Sequence, residues 1–250
     1  MNQVKVELCV ENYEAAKFAE KLGYDSVEIN SALCLGGLTP SAGVVRKIAE
    51  NINIKKNCMI RNRAAGFCYT DNQFRAMLEE LDILLNEKID GIVFGFLTFD
   101  FEIDKEKTKA FVEKIHDAGK IAIFHRAFDN TNNPFRSIEN LIELNVDRVL
   151  TSGQTPSALD NMSLIKELIQ KYDDKIEIIL GSGINPDNAI ELIKTTNARY
   201  IHSSCKKNYE DITTKNNIDY TIFGNFGNTY IDIDVEIAEK LIKIVKSHNI

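Results

Sequence analysis

The stretch Val4-Lys5-Val6-Glu7-Leu8-Cys9-Val10-Glu11-Asn12 decides how the chain folds. Val4, Val6, Leu8 and Val10 alternate with Lys5, Glu7 and Cys9, the period-2 pattern of a half-buried strand. Asn12 then offers an N-cap, and Ala15, Ala16, Ala19 and Leu22 line one face of a helix over 13–22. A strand feeding directly into a helix predicts a parallel crossover. The turn Val10-Glu11-Asn12 holds no glycine, so it lacks the phosphate fingerprint that opens a doubly wound nucleotide-binding sheet.

Working outward, β-rich runs recur at 4–10, 26–30, 57–61, 91–96, 121–126, 148–152, 176–181 and 198–203. Stretches of helical period separate them. Val44, Val45, Ile48 and Ile52 mark the second helix, and Phe74, Met77, Leu78, Leu81 and Leu85 mark the third, which Asp71 is expected to cap. Asp104, Pro134, Ser157 and Asn185-Pro186 are expected to open others, and the last helix spans 234–247. Eight such units in 250 residues, about 31 residues each, predict a single-domain (β/α)8 TIM barrel over 1–250. One segment breaks the rhythm: 205–231, with Tyr209, Tyr220, Phe223, Phe226 and Tyr230, is an insertion before the last helix. A segment of that length is a rim loop, a functional element or an oligomer contact.

Composition narrows the function classes. Thirty-seven acidic against 30 basic residues give a net charge of −7, the opposite of a general nucleic-acid or membrane-surface binder. No apolar run approaches the ~18 residues of a membrane span. Met1-Asn2-Gln3-Val4 begins no signal-peptide apolar region, so a cytoplasmic protein is expected. Cys9, Cys34, Cys58, Cys68 and Cys205 form no CxxC pair and read as free thiols of a reducing compartment.

Barrel chemistry gathers at the carboxyl ends of the strands. With the valines and Leu8 facing the helices, Glu7 and Cys9 point into the barrel, as do Glu28 and Asn30 opposite Val27 and Ile29. Buried carboxylates require cations, and Arg61, Arg63 and Arg126 are available. His125, followed by Asp129, is the expected acid/base, since a histidine titrates near neutrality. Thr151-Ser152-Gly153, Gly181-Ser182-Gly183 and Ile201-His202-Ser203-Ser204 close the sixth, seventh and eighth strands, and the last two are where barrels hold phosphate. The competing reading of each residue is structural: a buried ion network, a core histidine, a tight glycine turn, a thiol buried as a small hydrophobe.

The strings Val6-Glu7-Leu8-Cys9, Ser26-Val27-Glu28-Ile29, Gly36-Gly37-Leu38-Thr39-Pro40-Ser41, Phe124-His125-Arg126-Ala127-Phe128-Asp129 and Leu150-Thr151-Ser152-Gly153 resemble, in this order, the CutC copper homeostasis family. The resemblance runs from Val6 to about Ser204. It implies a cytoplasmic barrel, a homo-oligomer (dimer or tetramer) and a relation to copper(I), with Cys9 and Cys34 as the ligands. Where the family commonly has a second cysteine after the strand-two glutamate, this chain has Asn30, and the usual Arg-Pro-Arg-Gly-Gly-Asp reads Arg61-Asn62-Arg63-Ala64-Ala65-Gly66. Copper handling is therefore one expectation. The alternative is an enzyme on a small anionic, possibly phosphorylated, substrate. Glu7, Glu28, His125 and Asp129 would move protons, and Arg61, Arg63, Arg126, Ser152, Gly183, His202, Ser203 and Ser204 would bind. Neither nucleic acid nor a membrane is an expected partner.

Overall fold

A computed structural model describes residues 4–223 and 227–248. Met1 to Gln3 and Phe226 of the insertion fall outside them. Eight parallel strands close into a barrel in chain order: β1 (Lys5–Val10), β2 (Ser26–Ile29), β3 (Lys55–Met59), β4 (Gly91–Phe94), β5 (Ile121–Phe124), β6 (Arg148–Thr151), β7 (Glu177–Leu180) and β8 (Tyr200–Ser203), with β8 returning to β1. Eight helices cover it: α1 (Tyr13–Leu22), α2 (Ala42–Asn51), α3 (Asp71–Leu85), α4 (Lys105–Asp117), α5 (Pro134–Glu143), α6 (Met162–Tyr172), α7 (Ala189–Thr196) and α8 (Val235–Ser247). The expected (β/α)8 barrel is the fold.

Every helix but α7 starts where a short polar side chain satisfies its first N–H groups. Asn12 accepts from Ala15 N, Asp104 from Lys107 N, and Asn133 from Phe135 N and Arg136 N. Three starts differ from expectation. The cap of α3 is Thr70, in a reciprocal pair with Gln73, and Asp71 is the first helical residue. Ser157 serves only a turn, and α6 opens at Asn161, whose Nδ2 also donates to Gly153 O at 3.0 Å. Asn185 likewise closes a local turn onto Asp187 N, so α7 begins three residues later, after Asn188.

The strands also stop earlier than expected, and this builds the site. Asn30, Arg61, His125, Arg126 and Ser152 leave the ladders and become loop residues on the carboxyl rim. Inside the barrel, Met59, Val93, Ile123, Leu150, Ile179 and Tyr200 form an apolar core separate from the larger shell between sheet and helices. β1 and β2 contribute no member to that inner core. Their outward residues Val6, Leu8, Val10, Val27 and Ile29 pack under the helices, and Glu7, Cys9, Ser26 and Glu28 are buried polar or thiol groups.

The insertion is an antiparallel ribbon, β9 (Lys206–Glu210) with β10 (Thr229–Ile233), reaching α8 two residues beyond the expected end. Tyr209 and Tyr230 stack across it with ring centroids 5.6 Å apart, and Asp234 N donates to Cys205 O at 2.7 Å to tie its base to the barrel. Among the described residues no helix is long and apolar enough to cross a membrane.

Candidate functional site

Register places the polar floor. Cys9 pairs with Glu28 across β1–β2, and Glu7 pairs with His202 across β1–β8. Glu7 is 1% exposed and fully satisfied: Ser26 Oγ donates to it at 2.8 Å, Asn57 Nδ2 at 2.5 Å and His202 Nδ1 at 3.1 Å. Burial works to raise its pKa, but the bonds from His202, Ser26 and Asn57 overcome this and hold it below the usual carboxylate value. His202 Nδ1 lies 4.0 Å from Glu28. Burial would lower the histidine pKa; the charge of Glu28 and the bond to Glu7 reverse this and raise it. Glu28 itself is pushed up, first by burial and also by the charge of Glu7. The two carboxylates thus move in opposite directions around one histidine whose pKa is raised.

Cys9 sits against Glu28 with Sγ 3.9 Å from Oε1. Asn30 Nδ2 donates to that sulfur at 3.1 Å and to Glu28 Oε1 at 2.6 Å. Burial, then the charges of Glu28 and Glu7, raise the thiol well above its ordinary pKa, so Cys9 is protonated and is no activated nucleophile. Among the described residues, Cys9, Glu28 and His202 are a group able to hold a metal, with one ligand atom from each all within 4.8 Å of one another.

The end of β5 carries the second histidine. His125 is buried, and its Nδ1 accepts from Ala127 N at 3.1 Å, which places the ring proton on Nε2. Phe67 packs against it at 5.0 Å between centroids. Burial and, next, the charge of Arg61 push its pKa down to about 3. The residue expected to titrate near neutrality is therefore held neutral.

The arginines divide. Arg61 gives Nη1 to Leu35 O and Gly37 O and Nη2 to Ala65 O, stapling the loops after β2 and β3. Arg63 gives its donors to Ala64, Gly66 and Cys68 carbonyls and its guanidinium lies 4.7 Å from the Tyr69 ring. Arg126 bonds Asp129 at 2.8 Å, Ser152 Oγ at 2.6 Å and Thr155 O at 3.1 Å, with its side chain 38% exposed. Asp129 also accepts from Thr151 Oγ1, Ser152 N and Gln154 N, so it anchors the loop after β6.

These groups surround one cavity of about 760 Å³. Cys9, Glu28, Arg61, His125, Arg126, Asp129, Gly183, His202, Ser203 and Ser204 line it. Glu7 lies beneath the floor behind His202, and Ser152 stands behind Arg126 and Asp129. Neither Arg63 nor Cys34 lines it; Cys34 is exposed on the 3-10 turn Leu33–Leu35. Ser203 Oγ is spent on Ile184 O at 2.7 Å. Gly183 has φ +74°, and a Cβ there would meet Ser157 Oγ at 2.5 Å, so only glycine fits this turn. Among the lining residues not singled out from sequence as site residues are Asn30, Phe67, Cys205 and Lys206. Asn30 was legible as an inward polar position, whereas Lys206 is brought over the rim by the ribbon.

Fold and site define a (β/α)8 barrel protein with a polar centre at the carboxyl ends of its strands. The chain belongs to the CutC family, whose model matches residues 4–207. A CutC family protein of Treponema denticola is 36% identical over 247 residues, covering 99% of this chain and 100% of that protein. A crystal structure described as a copper homeostasis protein CutC from Streptococcus agalactiae superposes with a TM-score of 0.76 at 28% identity, covering 81% of this chain and 99% of that one. Phosphoribosylanthranilate isomerase from Thermotoga maritima shares the fold alone, with a TM-score of 0.58 at 15% identity over 98% and 100% of the two chains.

Proposed function

We propose that the cavity binds a small anionic molecule and exchanges protons with it, with Glu28 and the Glu7-bound His202 as the proton-handling pair. One observation carries this: two buried carboxylates with opposite pKa shifts share one histidine on the floor of a cavity of about 760 Å³. Environments that drive neighbouring titratable groups apart are how one site supplies both an acid and a base at neutral pH. The volume lies in the range of small-molecule sites and exceeds what an ion requires. Arg126 and Lys206 also line the cavity and supply the positive charge that would seat the anionic end of the ligand. Thermal-shift screening with sugar phosphates and small carboxylates should raise the melting temperature for at least one class, and less so in Arg126→Ala. A protein that no anion stabilises would overturn the proposal.

A copper(I) ion as cargo is the second reading. It is favoured by the Cys9–Glu28–His202 group and by the copper homeostasis description of the S. agalactiae relative. Sulfur and imidazole suit copper(I), a carboxylate less so, and the ion would have to displace the Cys9 proton. Asn30, bonded to both Cys9 and Glu28, stands where a second soft ligand would be needed. In competition with a chromogenic copper(I) chelator, a copper site at this place loses affinity in Cys9→Ala and in His202→Ala, whereas Cys34→Ala changes nothing. Dependence on Cys34 would point instead to the exposed turn. Five free cysteines fit a reducing cytoplasm, and exposed Ile212 and Ile222 on the ribbon segment fit a homo-oligomer, which sedimentation velocity reads directly.

A further inference from the structure

Two buried nitrogen donors of residues that line the cavity have no hydrogen-bond partner among the described residues: Nε2 of His125 and Nε of Arg61. Both residues are more than nine-tenths buried, at 4% and 5% exposure. Native folds leave such groups unpaired rarely, and an orphan of this kind asks for a bound group. Each is an orphan for a definite reason. Arg61 has committed three of its five N–H groups, on both terminal nitrogens, to carbonyls of Leu35, Gly37 and Ala65, and its buried Nε–H has no partner. His125 has committed Nδ1 as an acceptor to Ala127 N, and only Nε2–H remains. Phe67 is common to both, 5.0 Å from the His125 ring and 5.3 Å from the Arg61 guanidinium carbon. Gly95 makes room for the imidazole, since a Cβ there would lie 2.4 Å from His125 Cε1.

We infer that Arg61 Nε–H and His125 Nε2–H form an acceptor subsite for an oxygen of a carbonyl or carboxylate group, and that the small molecule of this cavity therefore carries one. This rests on the proposed proton-handling site only for the reaction that follows. Glu28 takes the proton from the carbon beside the carbonyl; the C–H electron pair becomes the C=C bond, and the carbonyl π pair moves onto oxygen. The resulting enolate oxygen is met by two fixed N–H donors that need not reorganise. Return of the proton from Glu28 to that carbon restores the carbonyl compound, or a solvent deuteron takes its place. A histidine held neutral donates to this oxygen without giving up its proton.

Oxalate, which has acceptor oxygens and no C–H, tests the subsite on the full chain. Its binding should shift the His125 Nε2–H resonance downfield in side-chain 1H–15N spectra and should weaken about tenfold or more in His125→Leu, with partial recovery in His125→Gln. Oxalate binding that leaves that proton unmoved, or no oxalate binding at all, overturns the subsite; if His125→Leu does not fold, the wild-type shift decides alone. Pyruvate in D2O tests the reaction: wild type should place deuterium on the methyl carbon, Glu28→Gln should lose this, and His125→Leu should slow it about a hundredfold. Exchange that persists at full rate in His125→Leu overturns the subsite and spares the proton-handling site. His125-dependent oxalate binding without any exchange does the reverse.

Discussion

His202 and His125 line one cavity, are both buried, and are driven to opposite charge states. His202, on β8, lies between two carboxylates, and its pKa rises. His125, just past β5, lies against Phe67 within the influence of Arg61, and its pKa falls to about 3. Burial disfavours the charged form at both and is the larger cause at His125, where the charge of Arg61 adds to it. At His202 the neighbours reverse it: Glu28 from β2 and Glu7 from β1 outweigh burial. The same asymmetry runs through the barrel interior, where β3 to β8 supply an apolar layer and β1 and β2 supply Glu7, Cys9, Ser26 and Glu28.

Removing the acidic neighbour should break the comparison most severely. Glu7→Leu leaves the His202 charge and the donors of Ser26 and Asn57 without their acceptor, and uncompensating a buried pair of this kind costs about 3–5 kcal/mol. Urea denaturation reads the loss, and a loss under 1 kcal/mol would mean that Glu7 and His202 carry no charge pair.

The second effect is on the acid limb of stability. His125 has a folded pKa of about 3 against an ordinary value of 6.5, so between those values the unfolded chain binds a proton the folded chain does not. Stability should therefore fall as pH drops from about 6.5 towards 3, with His125 contributing a few kcal/mol at the low end. The raised His202 works the other way: its contribution is complete below its unfolded pKa and lost as pH rises through the folded one. Chemical denaturation of His125→Leu across this range should show a shallower acid limb than wild type. Equal slopes would place His125 in solvent contact.

The smallest effect belongs to the rim. Arg126→Ala should cost about 1 kcal/mol or less, because the side chain is 38% exposed and Asp129 retains Thr151, Ser152 and Gln154. Its cost should appear instead as weaker anion binding.

The barrel was legible because alternation and helical period repeat eight times, and no local rule contradicts them. Glu7, Glu28 and Cys9 were legible as inward residues because Val6, Leu8, Val10, Val27 and Ile29 claim the opposite face. The division of labour between the histidines was not. It depends on Arg61 and Glu7, which lie 64 and 195 residues away in sequence from the histidines they govern. Three arginines on one rim likewise read as an anion clamp, but main-chain carbonyls absorb the donors of Arg63 and most of those of Arg61. Ser157 and Asn185 look like helix caps, yet their side chains close turns first, moving α6 and α7 along the chain.

Side-chain 1H–15N spectra of the protein, titrated from pH 4 to pH 9, read the charge states of the two histidines of this cavity directly. His125 should stay neutral with its proton on Nε2 across the whole range, and His202 should remain an imidazolium past pH 6.5 and lose that behaviour in Glu28→Gln. Two histidines titrating together near 6.5 would contradict this assignment.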